Sequence, residues 1–235
     1  MDVGAVVAWF LDPVHWSGSN GVPVRVLEHV VLSALALALG AAVALPAGLA
    51  IGHTGRGERV AVAVAGLGRA VPSYALLILF VPLFGLGFAS AVPALVLLSI
   101  PPILVNAVAG LRDSDAETTE AGRGMGMTEW QVLRDVELPA AMPAILAGLR
   151  TSAVQVVATA TLAAVVAGGG LGRYIVDGFA VQRYDRLVAG AVLVAVLALL
   201  TERVFTALQR AFERRGGRPV EDPFGVVAPP VMLGS

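Results

Sequence analysis

The chain has 235 residues, of which 57% are hydrophobic and 14% charged, and its mean hydropathy of +0.82 sets it apart from soluble globular proteins. The net charge of −1 gives no basic surface for nucleic acid, and the absence of cysteine removes disulfide and thiolate chemistry. Lysine is also absent, which excludes a phosphate-binding P-loop. Several apolar stretches reach the roughly 20 residues that a helix needs to cross a bilayer. They are continuous rather than alternating, so they read as helices and not as strands of a closed barrel. The expected fold is all-α and transmembrane, with about five spanning helices.

The N-terminal segment, residues 1–26, has no basic leader or small-residue cleavage site, so no cleaved signal peptide is expected. A first span is read over Leu27–Ile51, ending in the turn-rich HTGRGER. The next apolar stretch, Val60–Gly87, is longer than one crossing and contains Arg69 and Pro72. A bend at Pro72 places Val60–Arg69 near the cytoplasmic interface and leaves Val71–Gly87 to cross. The third span covers Val92–Leu111. A polar segment follows, taken with its boundaries as 112–139. The fourth span runs from Pro139 to Ala167, where a glycine run stops it, and Arg173–Arg186 reads as a polar loop. The fifth span is Leu187–Phe205. Residues 27–212 thus form the transmembrane domain and 213–235 a cytoplasmic, disordered tail.

Arginine sorts between the two sets of loops. One set holds Arg56, Arg59, Arg112, Arg123, Arg134, Arg210, Arg214, Arg215 and Arg218; the other holds Arg25, Arg173, Arg183 and Arg186. Arginine excess marks the cytoplasmic side, which puts the N-terminus outside and the 112–139 loop and C-terminus inside. Six spans would separate the loop from the tail and break that bias.

Within the loop, helix formers flank Gly124 and Gly126, which predicts two short helices meeting at a glycine turn. Thr128 and Gln131 have the spacing of a capping box. Trp130, Leu133 and Val136 or Glu137 give the second helix one apolar side, and Pro139 closes that segment or kinks the entry to the fourth span. Such a unit, joined stiffly to two spans, is a lever.

The series Glu120-Ala121-Gly122, three residues, Gly126, nine residues, Val136, one residue, Leu138-Pro139 resembles the EAA loop of ABC-importer permeases, E-A-A-x3-G-x9-I-x-L-P. Gly122 and Val136 depart from the pattern by small steric steps. The stretches DPVHWSGSNGVPVRVLEH, ALPAGLAIGHTGRG, RAVPSYALLILFVPLFGLG and TATLAAVVAGGGLG are similar to those of osmoprotectant permeases, which serve glycine betaine, choline, carnitine and related quaternary amines. The resemblance implies two paired permease subunits, this chain with a copy or a paralogue. It also implies ATPase subunits holding the coupling loops and an extracytoplasmic substrate-binding protein. Glu120, Ala121, Gly126, Leu138 and Pro139 would then contact the motor. ATP is expected on the partner subunits and no cofactor on this chain, which is a transport subunit and not an enzyme. A permease for an amino acid such as methionine is the alternative within this class.

Other features carry two readings. Gly168–Gly170 with Gly172 reads as a loop at the external surface, since it follows a helix and lacks lysine. His15, His29 and His53 are scattered, so no metal site is expected. Asp113, Asp115 and Glu117 read as a solvated acidic cluster at a helix N-terminus. Ser152, Gln155 and Thr159 fall on one side of a helix and, with Asn106, are candidates for a polar translocation lining; interhelical hydrogen bonding is the other reading. Arg150, near the start of the fourth span, is expected to snorkel to the interface. An ion-coupled transporter is disfavoured because no mid-depth Asp, Glu or His stands out in the last three spans. An intramembrane enzyme lacks a catalytic set.

Overall fold

A computed structural model describes residues 3–215, whose regular elements are all helical, with no strand among them. The helices are α1 (Val3–Leu11), α2 (Val22–Thr54), α3 (Glu58–Ala70), α4 (Ser73–Phe84), α5 (Phe88–Arg112), α6 (Ala116–Gly124), α7 (Glu129–Gln131), α8 (Leu138–Thr159), α9 (Gly172–Ala180) and α10 (Tyr184–Arg215). Among the described residues four helical stretches are long and apolar enough to cross a membrane: Val22–Thr54, Phe88–Arg112, Glu129–Val166 and Tyr184–Arg214.

The stretch expected to make a fifth crossing is divided between two shorter helices, α3 and α4, neither of which is among those four. Pro72 has no N–H to donate and forces the residue before it out of the helical region, so the chain runs extended there before α4 begins. Alone, the 12 residues of α4 rise only about 18 Å. Along α5, Ala61 of α3 packs with Ile103, Leu104 and Val108, whereas Leu77 of α4 packs with Ala91 and Leu95. The break at Pro72 is therefore where it was expected. The stretch before it does not stay at the interface, because α3 covers the lower half of α5 and α4 the upper half. The side chain of Arg69 lies outside the described residues.

Small residues set the bundle's register. A Cβ added to Gly48 or Gly52 of α2 would meet Ala107 or Leu111 of α5 at 2.7 Å. One on Gly148 of α8 would meet Asn106 at 2.6 Å, and one on Gly110 of α5 would meet Ala144 at 2.8 Å. Helices approach this closely only where one partner lacks a side chain. These contacts make α2 and α5 parallel and α8 antiparallel to both.

Two boundaries differ from the sequence expectation. Arg173–Arg186 is not simply a loop: α9 forms there, braced by Arg173–Asp177 at 2.8 Å one turn apart, with Tyr174 and Gly178 buried. The helix α10 runs past Phe205 to Arg215, so the start of the basic tail is helical. The rest of the expected tail, 216–235, lies outside the described residues.

At the end of the bundle away from α6, the glycine run is held by α2. The N–H of Gly170 donates to the Glu28 carboxylate at 2.8 Å, and that of Leu171 to His29 Nδ1 at 3.3 Å. His29 is fully buried, and its Nε2 lies 2.8 Å from the Val157 carbonyl. Both ring nitrogens are thus used structurally. Gly170 has φ +74°, and a side chain there would press on His29.

Candidate coupling face and transport groove

The segment between α5 and α8 is built from local chemistry. Asp115 caps α6: its carboxylate accepts from the Thr118 hydroxyl at 2.6 Å and the Glu117 N–H at 3.1 Å, which together hold it below the usual carboxylate range. The helix ends at Gly124, and the chain reverses at Gly126 with φ +86°. On the far side, Thr128 and Gln131 form the reciprocal capping box. Arg123 clasps the two helices, donating to both oxygens of Glu129 at 3.0 Å.

The second helix does not end before the fourth span. It passes through a π-helical turn, Val132–Glu137, straight into α8. Pro139, without an N–H and crowding the carbonyl one turn back, follows this widened turn directly. The segment and the long helix are one continuous rod.

The residues singled out from the sequence divide by exposure. Glu120, Ala121, Gly126 and Pro139 are exposed, Val136 and Leu138 half-buried, and Gly122 is buried beside Met127, with Val132 and Val136 behind it. Trp130 does not contribute to the apolar side of the second helix; it is 68% exposed, and Met125 is 79% exposed. Val132 is the residue that packs inward. Two large apolar side chains therefore flank the Gly126 turn in the open.

Sequence reading missed the tie between this segment and α2. His53, in the last turn of α2, places Nδ1 2.6 Å from Glu137 Oε2 and Nε2 3.3 Å from Glu129. The His53 and Glu137 side chains are 13% and 7% exposed. They lie 84 residues apart, so no local pattern announces the pair.

Between the face of α8 packed on α5, at Gly148 and Ser152, and the face beside α10, at Ala153 and Val157, α8 leaves an open strip with Thr151 exposed on it, here called the groove. At its α6 end, a cavity of about 500 Å³ is lined by Asp113, Asp115, Asp135 and Glu213 with Phe212 and Pro143. Along α8, Thr151 is exposed and Gln155 and Thr159 are half-buried. Ser152 is fully buried and donates to the Ser99 carbonyl of α5 at 2.9 Å. Asn106 is half-buried and donates to the Pro102 carbonyl of its own helix. The four candidate lining residues thus do not share one face: Ser152 points into a helix contact, while Gln155 and Thr159 border the open side. No cluster that could hold a metal ion is found among the described residues.

Residues 39–215 match the family described as binding-protein-dependent transport system inner membrane component. The glycine betaine/carnitine/choline transport system permease protein OpuCB of Bacillus subtilis is 37% identical over 189 residues, covering 80% of this chain and 87% of that protein. The osmoprotectant import permease protein OsmW of Salmonella typhimurium is 34% identical over 88% of this chain and all of that protein. A solved structure described as an inward-facing conformation of the MetNI methionine ABC transporter superposes with a TM-score of 0.74 at 22% identity, covering 86% of this chain and 98% of that one.

Proposed function

This chain belongs to the binding-protein-dependent transport inner-membrane components, the multi-pass permease subunits of ABC importers, and on that premise we propose that its cargo is a quaternary-amine osmoprotectant such as glycine betaine, carnitine or choline. The observation that carries the cargo assignment is the 37% identity across four-fifths of the chain to a permease for those three solutes. The likeness to the methionine transporter, at 22% identity, speaks for the fold alone.

The partners follow from the same premise: ATPase subunits that hydrolyse ATP, a second permease (a copy or a paralogue) and an external binding protein. The face formed by α6, the Gly126 turn and α7 is proposed as the ATPase-docking surface, with Glu120, Ala121 and Gly126 in contact. Exposed Trp130 and Met125 suit it, because large side chains of this kind anchor protein interfaces. Arg56, Arg59, Arg112, Arg123 and Arg134 cluster at that end, which supports an orientation with this face and the C-terminus in the cytoplasm and the N-terminus outside. The groove on α8, with Gln155, Thr159 and Asn106 at its edges and Thr151 on its open side, is proposed as the pathway lining; Ser152 supports it from behind.

The cargo is tested with the purified importer, including its binding protein, in proteoliposomes. Labelled glycine betaine, carnitine or choline is expected to accumulate with ATP, and labelled methionine to stay at background. Accumulation of methionine without the quaternary amines would overturn the assignment.

A further inference from the structure

An ion pair joins α8 to α10 beside the groove. Arg150 Nε of α8 lies 3.5 Å from Glu202 Oε1 of α10. Its depth follows from the helix contacts around it. Gly148 packs on Pro102 and Asn106, and Ser152 bonds to Ser99, so Arg150 lies level with Ile100–Pro102. That is the middle of α5, which spans Phe88–Arg112. On the other side, Ala153 and Val157 share a pocket with Leu197 and Thr201, which brings Glu202 to the same level. Arg150 therefore does not sit near the start of the span, where snorkelling to the interface would be short, and the fifth span does carry a carboxylate at mid-depth, contrary to the expectation from sequence.

Charges at this depth are costly and are rarely placed without a role. A pair that served only to neutralise itself would close into the two-pronged arginine–carboxylate geometry. This one does not. It makes a single long contact, the side chains are 31% and 43% exposed, and neither makes another hydrogen bond among the described residues. The remaining guanidinium N–H groups and the second carboxylate oxygen are free to meet something in the groove. Thr151, exposed, is the next residue along α8, and Gln155 follows one turn on.

We propose that Arg150 and Glu202 form a clip for a zwitterion in transit, with Arg150 taking a carboxylate and Glu202 a quaternary ammonium. The proposal rests on the osmoprotectant reading above and deepens it. Glycine betaine and carnitine carry both groups; choline carries only the cation. A quaternary ammonium has no N–H to donate, so its partner must offer charge without requiring a hydrogen bond, and a loosely held carboxylate does so. Arginine's planar fork matches the solute's carboxylate. The pair thereby gives the permease its own preference for zwitterions, separate from that of the binding protein.

The test compares maximal uptake rates of glycine betaine and choline in proteoliposomes holding the complete importer, at saturating binding protein. Arg150→Gln is expected to lower the glycine betaine rate roughly ten- to a hundredfold and the choline rate by less than about threefold, the size of one lost charge-assisted hydrogen-bond pair. Glu202→Gln is expected to lower both rates. The neutral double variant Arg150→Gln/Glu202→Gln leaves no unpaired charge and guards against a folding defect; it too is expected to shift the rate ratio toward choline. Equal loss of both rates in Arg150→Gln, or an unchanged ratio in the double variant, overturns the clip while leaving the osmoprotectant reading intact. Absence of uptake of either solute by the unmodified importer overturns that reading and the clip with it.

Discussion

Replacing Gly126 with tyrosine is expected to bring ATP-driven uptake down at least a hundredfold, the equivalent of about 3 kcal/mol of lost docking energy, while the subunit still inserts and folds. Two features combine at this position. Its φ of +86° lies where L side chains are strained, and a Cβ added there meets no atom of the chain within 4 Å. The side chain would project into open space between exposed Met125 and Trp130. Any steric obstacle it creates is therefore met by a partner and not by this subunit. Gly126→Asn separates the two effects, because asparagine tolerates the left-handed region and is small. It is expected to keep most of the uptake. The check is uptake together with co-purification of the ATPase, with membrane insertion as control. Normal uptake by the tyrosine variant would remove the docking face from the Gly126 turn.

The second large effect is expected at the tie between His53 and Glu137. Removing one partner of a buried pair leaves the other without compensation, at a cost of about 3 kcal/mol. Glu137 lies in the π-helical turn between α7 and α8, and His53 lies in the last turn of α2. Their contact, with that of His53 to Glu129, ties the end of α2 to the part of the rod next to the Gly126 turn. Glu137→Ala and His53→Ala should each lower the melting temperature of the purified subunit. The double variant should be little worse than either single one, because both remove the same interaction. Losses that simply add would mean that the two residues stabilise the protein independently.

The long apolar helices, the glycine turn and the capping box are legible in the sequence because each depends on residues within a few positions. Thr128 and Gln131 are three apart, and Pro72 breaks its helix by its own missing N–H. What stayed illegible depends on distance. His53 and Glu137 meet across 84 residues, and nothing near either one marks the other. Ser152 looked equivalent to Gln155 and Thr159 on a helical wheel. Its burial is decided by α5, whose Ser99 carbonyl it meets. A fourth span that starts at Pro139 puts Arg150 near an interface. The register imposed by Gly148 and Gly110 moves it to mid-bundle level, and Glu202 becomes visible as its partner only then. In α9, a short amphipathic helix with one arginine and one aspartate, followed closely by Arg183 and Arg186, resembles a polar loop by composition. It is fixed by Tyr174, buried between Trp9 and α10.

That solute moves through this chain on the stroke of a separate ATPase is tested most directly by uptake into proteoliposomes holding the complete importer, with ATP hydrolysis and ion gradients controlled independently. Uptake is expected to persist when ionophores collapse the proton and sodium gradients, and to stop when ATP is replaced by a non-hydrolysable analogue. Uptake that follows the gradients and continues without ATP hydrolysis would contradict it.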